Sequence, residues 1–147
     1  MAYTPVCDTT EELFESVFAE SSLSQVIKFK LIHNSKLKMN PTGFCGKVTK
    51  TQDVMHKALA NEVTLPEFII EINDDVFIRL SDNTQKIVID KIFAQMRFDF
   101  EKDKVILATP DVQEFSGILM KYHYEAIEAA KMETQTAFQQ LAEENKR

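Results

Sequence analysis

From Gln25 to His33 the chain changes side with every residue. Ile27, Phe29, Leu31 and His33 fall on one side, and Lys28 and Lys30 on the other. A period of two sends alternate side chains to opposite faces of a pleated strand, so this segment reads as a strand with one buried face. One strand cannot bury a face alone. It obliges the chain to supply further strands and a covering layer. Glu67 to Ile72 meets that need, with Phe68, Ile70 and Ile72 on one face behind Pro66. Phe44 to Lys50 supplies another strand, where Gly46 marks a bulge or a close backbone approach. Phe98 to Leu107 reads as a hairpin whose exposed turn is Glu101-Lys102-Asp103-Lys104.

The covering layer comes from helical spacing elsewhere. Residues 1–8 read as an irregular lead. Asp8, Thr9 and Thr10 then offer caps for a helix with Leu13, Phe14, Val17 and Phe18 on one face, stopping near Ser21 and Ser22. Thr51 to Ala60 has mixed helical character. Asn73 or Asp74 can cap a short helix carrying Val76, Phe77 and Leu80. Ser81 to Met96 has the best-formed internal stripe, through Val88, Ile89, Ile92, Phe93 and Met96. Thr109-Pro110-Asp111 starts a last helix by cap, proline and acid. No Gly or Pro follows Gly117, so a long helix over 110–147 is expected, with a weaker stripe at Ile127, Phe138 and Leu141. Strands and helices do not alternate strictly. The expected fold is therefore α+β: one domain over 1–147, with a small, mostly antiparallel sheet against helices and a long C-terminal helix that extends beyond the core.

Charge narrows the functions open to such a domain. The net charge is −6 over 147 residues. Binding to a phosphate backbone depends on Lys and Arg displacing counterions, so direct nucleic-acid binding is disfavoured. An anionic membrane surface is disfavoured on the same ground. No apolar run approaches the ~20 residues of a membrane span. The N-terminus lacks the basic and apolar regions of a signal peptide, and Cys7 and Cys45 belong to no CxxC pair. Both observations suit a reduced, cytoplasmic setting.

Few residues offer chemistry. His33, His56 and His123 are not paired at helical spacing, and none neighbours a cysteine at ligand spacing. Asp99, Glu101 and Asp103 alternate and could hold a hard cation, although a solvated hairpin tip explains them as well. Cys45 has no histidine beside it and reads as a buried, inert thiol. Phosphate-binding glycine loops and the GxSxG elbow are missing from the sequence.

The order of features from Phe44 to about Tyr122 resembles a known family. The pieces are the Gly46-Lys47 strand, Pro66-Glu67-Phe68-Ile69-Ile70-Glu71-Ile72, then Phe77 with Leu80. The helix Gln85 to Gln95 follows, and Phe98-Asp99 leads on to Pro110-Asp111-Val112-Gln113-Glu114-Phe115. Together they resemble the metallopeptidase domain found in bacteriophages, a relative of SprT-like zincins. The resemblance implies that the internal helix should carry HExxH, with two zinc-binding histidines one turn apart and a glutamate base. Here the stretch is Lys91-Ile92-Phe93-Ala94-Gln95. Lys91 and Gln95 stand where the ligands would be, and Ile92 stands where the base would be. A lysine repels zinc, glutamine binds it poorly, and isoleucine accepts no proton.

The expectation is thus a scaffold without its chemistry. No catalytic residue, metal ligand or cofactor is assigned. The expected role is a phage-encoded, non-catalytic protein-binding domain that contacts a host or viral protein. Its contact surface would be the acidic C-terminal helix, through Glu125, Glu128, Glu133, Glu143 and Glu144, although acids on an exposed helix also simply keep it solvated. That helix could also pair with its copy in a homodimer. Two alternatives stay open: a metal-dependent hydrolase with a relocated site drawing on His33, His56, His123, Asp90 or Glu114, and a virion structural or assembly protein.

Overall fold

The computed structural model describes residues 3–25, 27–40, 44–50, 67–99, 104–107 and 116–146. In chain order these form β1 (Tyr3–Pro5), α1 (Asp8–Glu20), a 3-10 turn (Ser22–Gln25) and β2 (Lys28–Asn34). They continue through β3 (Gly46–Lys50), β4 (Glu67–Ile72), α2 (Asp74–Phe77) and α3 (Asp82–Ala94). The hairpin β5 (Met96–Asp99) and β6 (Lys104–Leu107) precedes α4 (Ser116–Asn145). The architecture is α+β, as the sequence suggests.

The main sheet has four strands in the order β1-β2-β4-β3, and β5-β6 form a separate pair. β2 and β4 run parallel, with Phe29 opposite Phe68 and Leu31 opposite Ile70. The sheet is mixed: two of its three pairings, β1-β2 and β3-β4, are antiparallel as expected, and β2-β4 is the parallel one. Alternation fixes which face of a strand is buried but not its direction relative to a neighbour, so the parallel pair was not legible. The lead is not wholly irregular either. Tyr3–Pro5 pairs with residues 32–34 of β2, and a three-residue strand is too short to show a period.

One face of this sheet is the core. Phe68, Ile70 and Ile72 of β4 are buried, and Val48 of β3 sits opposite Ile70. α1 and α3 cover that face. Phe93 of α3 lies 5.6 Å from the ring of Phe29, 5.6 Å from Phe18 and 6.1 Å from Phe14. Phe14 in turn meets Phe77 at 5.7 Å. Tilted and edge-on contacts of this kind add to the gain from burial. A core with eleven Phe in the chain and no Trp is built on such contacts.

α4 packs its stripe against α2 and α3. Ile127, Ala130, Thr134 and Ala137 are buried, and Phe138 and Leu141 are partly so. The small residues at 130, 134 and 137 let the helices approach closely. α4 is broken once. His123 has φ 66 and ψ 156, which divides it into pieces over 116–122 and 124–145. Only glycine adopts that backbone without strain. Among the described residues Phe44 also has a positive φ, 52°, two residues before Gly46. Gly46 itself simply opens β3 opposite Ile72.

The expected helix over 51–60, the start at Thr109-Pro110-Asp111 and the turn at 101–103 lie outside the described residues.

Candidate functional site

α3 follows directly from the central strand β4 by way of α2, so it lies across the buried face of the sheet. Ser81 caps it in the ordinary way, its hydroxyl accepting from the N–H of Thr84. The three motif positions fall in its last turns. Lys91 and Ile92 are both 0% exposed. The Lys91 Nζ lies 4.0 Å from the centroid of the Phe44 ring, the geometry of a cation held by an aromatic face. Ile92 is part of the core, and Gln95 is the C-cap, its backbone N–H reaching back to Ile92 and Phe93.

A catalytic zinc of zincin type needs two imidazoles and a free coordination position beside a carboxylate. The residues present do not fit it. On the placement that the resemblance implies, a fully buried lysine stands at the first ligand position and an aliphatic side chain packed into the core stands at the base. Among the described residues no three His, Cys, Asp or Glu side chains converge as a metal would require.

Beside this helix lies a polar cluster that the sequence did not reveal. Asp90 accepts from Lys121 Nζ at 2.8 Å and from the Tyr122 hydroxyl. Burial, reinforced by the Asp90 carboxylate, holds the Tyr122 phenol above its ordinary range, so it stays a donor. A second cluster surrounds the start of α2. The Asp74 carboxylate is buried and accepts from Thr10 Oγ1 and from the Cys7 N–H. The Asp74 N–H donates to His33 Nδ1 at 2.9 Å. The same His33 nitrogen lies 3.3 Å from the Ile72 carbonyl, and Nε2 lies 3.5 Å from Asp75 Oδ2. Of the two caps the sequence offers this helix, Asn73 and Asp74, the N-cap is Asn73; its side chain makes no cap bond and donates to the Leu37 carbonyl. Cys7 is the N-cap of α1 and its side chain makes no cap bond, while Thr10, one of the offered caps, lies in the first turn and donates to Asp74.

Among the described residues, the candidate groups for a relocated site, His33, His123 and Asp90, form no metal-binding group. His33 is fixed at the end of β2, His123 is exposed at the break in α4, and Asp90 is bonded to Lys121 and Tyr122. His56 and Glu114 lie outside the described residues, and so do Glu101 and Asp103. Cys45 is fully buried. Burial pushes its thiol up to about 12, with a smaller push from Asp74 and an opposing backbone hydrogen bond.

The five acids of α4 divide into two groups. Glu133 faces its own chain: it accepts from the backbone N–H and hydroxyl of Ser81 and from the Thr84 hydroxyl. It thereby places a negative charge at the N-terminus of α3. Burial acts to raise its pKa, but those hydrogen bonds outweigh burial and hold it below the ordinary carboxylate value. Glu144 is also engaged, in a two-pronged bond with the Arg79 guanidinium at 2.9 and 2.6 Å. Glu128 meets Lys131 at 3.7 Å one turn away. Glu125 and Glu143 are exposed. Tyr124 and Met132 are exposed on the same helix, at 66% and 69%.

Fold and site together define an α+β domain whose internal helix carries Lys91, Ile92 and Gln95 at its C-terminal end. A family model described as "Putative phage metallopeptidase" matches residues 5–144, and the chain belongs to that family. No curated protein and no solved structure matches it. Among the described residues no helix is long and apolar enough to cross a membrane.

Proposed function

We propose that this chain is a phage-encoded, non-catalytic protein-binding domain on a degenerate zincin-like scaffold, and that it contacts a host or viral protein. One observation carries the reading. The motif helix buries Lys91 and Ile92 completely, at the positions the metallopeptidase motif gives to a zinc ligand and the general base. Neither side chain can do the work of an imidazole or a carboxylate.

The outward side of α4 is the contact surface in this reading. Tyr124 and Met132 supply apolar area, and Glu125, Glu128 and Glu143 supply negative charge. An aromatic and a methionine near acids suit a partner with a basic rim. Glu133 and Glu144 hold the fold instead. A homodimer through α4 would have to use this same outward side, because Ile127, Ala130 and Ala137 are covered within the chain.

Two measurements test the proposal. The purified protein should contain no stoichiometric zinc, and its melting should not respond to chelator. Zinc that is lost on His33→Ala or His123→Ala would sink the reading. Tagged protein should retain a discrete partner from host lysate, and Glu125→Lys with Glu143→Lys should release it. If nothing is retained at low or moderate salt, the binding role fails.

A further inference from the structure

We infer that α4 is a two-state element: Asp90 latches its first piece against α3, and on release the helix straightens through His123. This goes beyond the proposed binding role and is tested without a partner.

The first observation is where the two pieces point. Ile118 precedes the break and Ile127 follows it, and both are buried. Nine residues are two and a half turns of an α-helix, so an unbroken helix would turn these side chains to opposite sides. Both reach the core because the chain leaves helical geometry between them, at His123 with φ 66 and ψ 156. A residue with a Cβ is strained in that backbone. The break therefore sets local strain at His123 against burial of Ile118.

The second observation is what stands beside the break. Lys121 and Tyr122 are the last two residues of the first piece. Both donate to the same oxygen, Asp90 Oδ2 on α3, the lysine at 2.8 Å. One carboxylate thus supplies the polar hold on the bent form, at the point where bending strain is greatest. The lysine is 57% exposed, so water competes for its share of that hold. Strain at one residue, one buried isoleucine and two bonds to one oxygen are terms of similar size. The bent and straight forms are accordingly close in free energy, as a switch requires.

Straightening changes what α4 presents. Ile118 leaves the core and falls in line with Glu125 and Met132, at intervals of seven residues along one side. The outward side of the helix gains an aliphatic residue, and the flank of α3 around Asp90 opens. The unbroken helix of 30 residues is about 45 Å long.

The test measures that length. Spin labels go on Ser116→Cys and Gln139→Cys in a Cys7→Ser background, which leaves only the buried Cys45 as a native thiol. An unbroken helix sets the two labelled backbone positions about 35 Å apart, and any bend brings them closer. Double electron–electron resonance on the otherwise unaltered chain should show mainly the shorter distance. Asp90→Ala should raise the ratio of long to short at least about tenfold, and Tyr122→Phe, which removes one hydroxyl, should raise it by less. Adding His123→Gly to Asp90→Ala should restore the short distance, because glycine accepts the positive φ and weakens a continuous helix. A long distance before any latch substitution overturns the inference. So does a ratio that Asp90→Ala leaves unchanged in a protein that still melts cooperatively, or a long population that His123→Gly leaves in place. A broad spread in place of a narrow peak also overturns it, since that is a loosened piece and not a straight helix. If Asp90→Ala melts without cooperativity, Tyr122→Phe decides alone, and an unchanged ratio there overturns the inference.

Discussion

The Thr10 hydroxyl donates to the Asp74 carboxylate at 2.6 Å. The same carboxylate accepts the Cys7 N–H at 2.9 Å, and the Asp74 N–H donates to His33 at 2.9 Å. One residue thus ties the start of α1, the start of α2 and the end of β2. Asp74→Asn keeps the volume but turns one acceptor into a donor, facing either a hydroxyl or an N–H. A loss of about 1–3 kcal/mol is expected, read as a lower urea midpoint at unchanged slope.

Glu133 gives a prediction with a pH signature. Its carboxylate is held below the ordinary value of 4.5, so the folded state favours the charged form. Its contribution is fully present above about pH 5 and is lost as pH falls through the depressed folded value. Glu133→Gln should therefore cost about 1–2 kcal/mol near neutrality, and the gap from the parent protein should close in acid. Paired urea titrations across that range would reveal a gap that does not close, against this account.

The two thiols should separate cleanly. Cys7 is exposed and Cys45 is buried, its thiol pushed up to about 12. Only the thiolate reacts. Near pH 8 a chromogenic disulfide reagent should consume one equivalent from the native protein and the second only after denaturant. Rapid loss of both would show that Cys45 is accessible.

His123 holds a backbone that favours glycine. His123→Gly should relieve strain and stabilise the protein by about 1 kcal/mol net of glycine's entropy, whereas His123→Ala should not. Thermal melting of the two variants side by side decides it, and equal melting temperatures would count against a strained position.

What was readable in the sequence was mostly periodic. The alternation from Ile27 to Leu31 matches the burial, with Ile27 buried and Phe29 and Leu31 partly buried between exposed lysines, and Phe68, Ile70 and Ile72 are buried as their spacing requires. The α3 stripe and the Ser81 start were equally plain. What stayed hidden depends on partners far along the chain. Asp74 reaches back to Thr10, and His33 accepts from Asp74, forty-one positions away. Glu133 reaches Ser81 across fifty-two positions. No local rule distinguishes a glutamate bound for a distant helix end from one that faces water, so five acids of α4 looked alike. Lys91 was legible as a missing ligand but not as a buried cation over Phe44.

The Glu133 contact also bears on synthesis at the ribosome. α3 is complete in sequence by Ala94, yet its first turn receives its carboxylate from a residue made thirty-nine positions later, and Arg79 waits for Glu144. The central parallel pair must likewise await Ile72 before β2 gains its neighbour. The nascent chain therefore carries an unfinished sheet until Ile72 and an open helix end until Glu133 emerges. Chains interrupted before that point would leave Phe-rich surface uncovered, as natural substrates for chaperones and proteases.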